Sequence, residues 1–210
     1  MNMEIQYYGA NGIRIITKKS NIVIDPVSDI TNISIDTKKA TAVLATNVQS
    51  VPPKTDGLFI VDCPGEYEFE DYSLQGIAAQ PHTAASGDES ATMYRITTNG
   101  ISVLVTGHIN EKLSELQLEA IGVVDVVIVP VGGGGYTLDA TGAATIIRNV
   151  EPKLVIPVHS GDDTLSYSVP QQSVELFEKE IGADVAADSP DKLKIKTLPD
   201  QLTVQKIKQH

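Results

Sequence analysis

The sequence predicts an α/β (α+β) protein built as a four-layer αββα sandwich, two sheets face to face with helices outside. Three observations carry this expectation. The first half is a meander of short β-rich runs with few helical patterns, and the second half alternates strands with helical stretches. Two strands of the second half, VDVVIVPV and KLVIPV, are apolar without interruption. Such strands are buried on both faces, and a sheet covered on both faces needs a layer above and below it.

In order along the chain, EIQYYG, IRIIT, NIVID, AVLAT and GLFIVD read as strands, parted by Gly, Asn, Pro or Lys. YSLQGIAA, TMYRITT and ISVLVT continue the meander, and Asn99-Gly100 between the last two is a hairpin signal. KLSELQLEAIG reads as a helix stopped by Gly122. Ala143, Ile146, Ile147 and Val150 fall on one helical face after VDVVIVPV. VPQQSVELFEKEIG predicts a helix with Pro170 in its first turn and Gly182 at its end. KLKIKTL and LTVQKI read as closing edge strands, and GDESA, Gly87 to Ala91, as a loop excursion.

The 210 residues suit a single domain over residues 1–210. A net charge of −11 argues against a nucleic-acid surface and against docking on anionic lipid. No run approaches the about 20 apolar residues of a membrane span, and the opening MNMEIQYYG has no secretory apolar region. The lone cysteine, Cys63, excludes an internal disulfide and reads as a small buried hydrophobe. Together these features predict a cytoplasmic protein without nucleic-acid or membrane partners. Pairing of the apolar C-terminal strands across subunits would give a homo-oligomer.

NIVIDP, AVLATNVQS, DCPGEYE and IPVHSGD, in this order and spacing, resemble the landmarks of the metallo-β-lactamase fold. Over residues 3 to 182 the chain is most similar to a branch of stand-alone hydrolase-like proteins that includes ascorbate-6-phosphate lactonases. The stretch from GHINEKL to VIPVHSGDD carries much of that likeness. The resemblance implies one or two metal ions, usually zinc, whose bound water becomes the nucleophile. It also implies where ligands belong. The HxHxDH loop motif falls on Asn47, Gln49, Val51 and Pro52, none of them a good zinc ligand. The later His falls on His82, the bridging Asp on His108 and the last His on His159. Asp25 matches the strand-end Asp that supports the ligand loop.

The loop motif is therefore degenerate, and a two-metal centre of the usual kind is not expected. What the resemblance leaves is a pocket of Asn47, Gln49, His82, His108, His159 and Asp25. Two functions follow. One is a non-catalytic homologue, with no cofactor, whose residual pocket takes a small molecule. The other is an altered hydrolase of esters, lactones or phosphodiesters, with one Zn²⁺ on His82, His108 and His159. Gly132 to Tyr136, GGGGY, lacks the Lys-Ser/Thr of a phosphate loop and reads as a tight turn before a helix capped by Thr137 or Asp139. Glu66 and Glu68 share one face of a strand and read as an exposed polar face. Asp162 and Asp163 are placed to orient His159 or to form a solvated turn.

Overall fold

The computed structural model describes residues 3–28, 30–53, 57–85, 87–88, 90–161 and 165–210. The first strands are β1 (Met3–Gly9), β2 (Gly12–Ile16), β3 (Asn21–Ile24), β4 (Ala42–Leu44) and β5 (Ile60–Val61). β6 (Gly65–Phe69), β7 (Tyr72–Ala79), β8 (Ala91–Thr98) and β9 (Ile101–Val105) follow. Then come α1 (Glu115–Ile121), β10 (Val126–Pro130), α2 (Ala140–Val150), β11 (Leu154–Val158) and α3 (Val174–Ile181). β12 (Asp184–Val185), β13 (Leu193–Ile195) and β14 (Thr203–Val204) complete the order.

The strands form a six-stranded sheet, β13-β1-β2-β3-β4-β5, and an eight-stranded sheet, β12-β14-β11-β10-β9-β8-β7-β6. β3, β4 and β5 run parallel in the first sheet, and β9, β10, β11, β14 and β12 in the second. β7 is antiparallel to β8, and β8 to β9, so β7 points the same way as β9. The carboxyl ends of β7, β9, β10 and β11 therefore share one edge of their sheet. Crevices at such ends are where sheets of this kind hold ligands.

Alternation inside the apolar strands explains why they carry no polar face. Val126 and Ile128 of β10 pack between the sheets with Ile5, Ile13, Ile22, Ile24, Leu44, Tyr94 and Ile156. Val127 and Val129 face the other way, against Ala143, Ala144, Ile146 and Ile147 of α2, Ile121 of α1 and Phe177 of α3. Each fully buried Ile or Leu contributes about 1.5–3 kcal/mol by the area it removes from water. Tyr94 ties the sheets together, its hydroxyl lying 2.9 Å from Ala45 O and 3.0 Å from Val61 O.

The sandwich is thus the expected one, with one outer layer thinned. All three helices described lie over the second sheet. The outer face of the first, Val23 and Val43, packs instead under Ile33, Ile35, Ala40 and Leu58, mostly from the segment between β3 and β4. The Asn99-Gly100 hairpin is present, both residues at positive φ (52° and 75°). Gly122 and Gly182 cap α1 and α3, and Glu66 and Glu68 are exposed.

Three expectations need correction. α3 starts at Val174, not near Pro170, because Gln172 is held extended: its N–H donates to Gly132 O and its carbonyl accepts from Gly161 N–H, both 2.7 Å. β13 is an edge strand, but β14 lies inside the second sheet, between β11 and β12. Cys63 is exposed rather than buried, its Sγ 3.2 Å from the Tyr67 hydroxyl. In the 87–91 loop, Glu89 lies outside the described residues, as do Asp162 and Asp163. Among the described residues no helix is long and apolar enough to cross a membrane.

Candidate functional site

The first wall of the cleft follows β3 and β4. Asp25 takes a left-handed conformation (φ 46°) just after β3 and is 3% exposed. Its carboxylate accepts the Thr46 N–H at 2.8 Å and the Thr46 hydroxyl at 2.7 Å. Burial raises the Asp25 pKa to about 6, against the opposing pull of Thr46, Ser50 and Asn11. Asp25 thus acts as a strut that fixes the end of β4. Past Thr46 the chain makes a 3₁₀ turn over Val48–Ser50, and Asn47 caps it by accepting the Ser50 N–H at 3.0 Å. Gln49 is exposed on the cleft, and Pro52 is buried.

The second wall comes from the ends of β7, β9, β10 and β11. Gly107, at φ 66°, lies so close to Thr46 that an added Cβ would sit 2.5 Å from its side chain. This contact brings His108 to the first wall. The His82 N–H donates to His108 O at 2.9 Å, which binds the two loops together. The His108 ring meets those of Tyr136 and His159 edge-on, each at 4.8 Å between centroids. Burial, with His159 and His82 beside it, holds His108 well below the usual histidine pKa, so it is neutral at pH 7.

His159 is 0% exposed and at φ 53°. Its N–H donates to the Tyr7 hydroxyl at 3.1 Å, and its Nδ1 lies 3.1 Å from Gln171 Oε1. Gln171 Nε2 donates to Val169 O at 2.9 Å. The amide oxygen therefore faces the ring, and the Nδ1 of His159 carries the proton. Tyr167 packs against the same ring at 5.2 Å.

Asn47, Gln49, His82 and His108 thus line one cavity of about 370 Å³, with Asp88, Ser90 and Tyr136. His159 stands behind His108, and Asp25 below the loop borders a small void shared with Asn47 and His108. The residues do not fit the metal centre that the resemblance implies. The loop offers two amides, a valine and a proline, and the Asn47 oxygen is engaged as a cap. Among the described residues no three His, Cys, Asp or Glu side chains are arranged to hold a metal ion. Tyr136 belongs to the GGGGY loop, which the resemblance puts on the active-site side, whereas Tyr167 and Gln171 were not foreseen as neighbours of the histidines. Gln171 lay in a stretch that read as helix, and nothing local marks it.

A family model described as a β-lactamase superfamily domain matches residues 4–159. No curated protein matches the chain in sequence. Among solved structures, a proposed Zn-dependent hydrolase of the metallo-β-lactamase superfamily from Thermotoga maritima superposes with a TM-score of 0.73. It is 21% identical, over 98% of each chain. A proposed metal-dependent hydrolase from Parabacteroides distasonis gives 0.63 at 16% identity, over 85% of this chain and 88% of that one. The metallo-β-lactamase fold protein YhfI from Bacillus subtilis gives 0.60 at 11%, over 98% and 97%. At these identities the likeness is one of fold alone.

Proposed function

This chain belongs to the β-lactamase superfamily, and we propose that it uses the family's cleft to bind a small molecule without the hydrolytic metal centre. One observation carries this reading. The loop that should supply most of the ligands has been turned into structure: Asn47 caps its own turn, and Val51 and Pro52 have no side-chain donor atoms. The pocket remains, polar and lined by a neutral His108. Without a metal, no group here brings water down from its pKa of about 15.7 to the about 7 reached on catalytic zinc. The branch that includes ascorbate-6-phosphate lactonases stays part of this proposal as a kinship of sequence, not of chemistry.

The alternative is an altered hydrolase with one zinc on His82, His108 and His159. The contact between the rings of His108 and His159 favours it, as does the neutral state of His108, since only neutral imidazole binds a metal. Elemental analysis separates the two. Purified without added metal, the protein should hold well below one ion per chain, and ester, lactone and phosphodiester substrates should turn over no faster with Zn²⁺ or Mn²⁺. One tightly held ion per chain, released by His108→Ala, together with chelator-sensitive turnover, would establish the alternative.

A further inference from the structure

A second cavity, of about 530 Å³, shares His82 with the first but not Asn47. His82 lines both cavities. The second is otherwise walled by Gly133, Gly134 and Gly135, by Thr137 to Asp139 just before α2, by Thr141, Gly142 and Thr145 of α2, by Glu111 and by Gln172. We propose that this cavity is a binding site for a neutral polyhydroxylated ligand, a sugar or a cyclic polyol.

The argument is one of charge and of hydrogen-bond balance. Among the described residues that line either cavity there is no Lys or Arg, while Asp88 borders the first, and Glu111 and Asp139 the second. An anion would meet these carboxylates without a counter-charge. A cation would face the positive end of α2, whose first-turn amides at Ala140 and Thr141 have no intrahelical acceptor. Asp139 already caps that helix end, so the wall mixes opposed charges and gives neither sign of ligand a dedicated counter-charge. Donors (helix amides) and acceptors (carboxylates) stand side by side, with the Thr137 and Thr141 hydroxyls and the Gln172 amide, which can do both, and the Thr145 hydroxyl, which donates to Thr141 O at 2.9 Å and is left to accept. A hydroxyl also does both, which is why a polyol suits this wall.

Two buried atoms mark where such hydroxyls would bond. Thr137 is 1% exposed, and its Oγ1 meets no hydrogen-bond partner among the described residues. The same holds for His82 Nδ1. A buried polar atom left without a partner is costly, so a ligand that supplies one is favoured by the folded state itself. Asp139 is less open to a ligand, since one carboxylate oxygen caps the helix at the Gly142 N–H, 2.8 Å away.

The test uses three probes that share one ring and differ in charge: glucose, glucosamine and glucose 6-phosphate, with galactose and myo-inositol as further neutral members. They are titrated into the ¹⁵N-labelled full chain, reading the amides of Gly133–Gly135 and Ala140–Gly142. At least one neutral probe should shift these amides saturably. Glucosamine and glucose 6-phosphate should need about tenfold higher concentration. Thr137→Val should weaken the neutral probe about tenfold, the worth of one hydrogen bond, with thermal stability unchanged or raised. Tighter binding of either charged probe, no saturable shift with any neutral one, or full affinity in a folded Thr137→Val would each overturn the proposal. Shifts confined to Asn47, Gln49 and His108 would do the same, while supporting the reading of the first cavity.

Discussion

The two walls of the cleft are built by one device and finished in opposite ways. Both are loops at strand ends. The first, from Asp25 to Pro52, satisfies itself: Asp25 holds Thr46 twice, and Asn47 holds Ser50. The second, from His82 to Gln171, keeps His82 Nδ1, His108 Nδ1 and Thr137 Oγ1 buried without partners among the described residues. Polar residues at a strand end are thus not by themselves a sign of function. What separates a strut from a binding wall is whether the polar atoms are already matched inside the protein.

Substitutions should divide along that line, and the largest effect belongs to the seam between the walls. Gly107→Ala adds a Cβ 2.5 Å from the Thr46 side chain at φ 66°, combining overpacking with backbone strain. It should cost about 3 kcal/mol or more in urea unfolding. A loss below about 1 kcal/mol would show that the walls do not meet rigidly there.

Next comes Asp25. Its folded pKa of about 6 is above its ordinary 3.8, so the folded state binds more protons than the unfolded state between these values. Stability from this group is full below about pH 4, falls as pH rises through 6 and stays low above. The size is on the order of 3 kcal/mol. Asp25→Asn cannot ionise, so its stability relative to the wild type should improve by a similar amount from pH 4 to pH 7. A difference that does not change with pH would contradict the buried strut.

Smaller still, Asn47→Ala should cost about 1 kcal/mol through the lost cap. His82→Ala should stay within about 0.5 kcal/mol, since only its backbone is bonded. Reversal of that order would break the contrast between the walls.

The sequence shows the second sheet better than the site. β10 and β11 are legible because burial on both faces writes an unbroken apolar run, and α2 because its apolar face has the helical period. The Asn99-Gly100 turn needs positive φ and says so locally. The start of α3 does not, because Gln171 and Gln172 are held extended by Gly132, Gly161 and His159, more than ten residues away. The place of β14 inside its sheet is likewise a long-range choice, invisible in LTVQKI itself. At the site, the resemblance located the strand ends, but it could not tell that Asn47 is used up as a cap or that Gln171 sets the tautomer of His159. Both depend on one hydrogen bond to an atom whose position only the fold decides.

The pairing of β13 with β1 ties Met3 to Ile195. On the ribosome, the outer edge of β1 stays bare until roughly 190 further residues have been made, about 10–40 seconds at about 5–20 residues per second. During that time it is an open template for any other extended chain. How long that edge stays open is thus set by a three-residue strand far downstream of it.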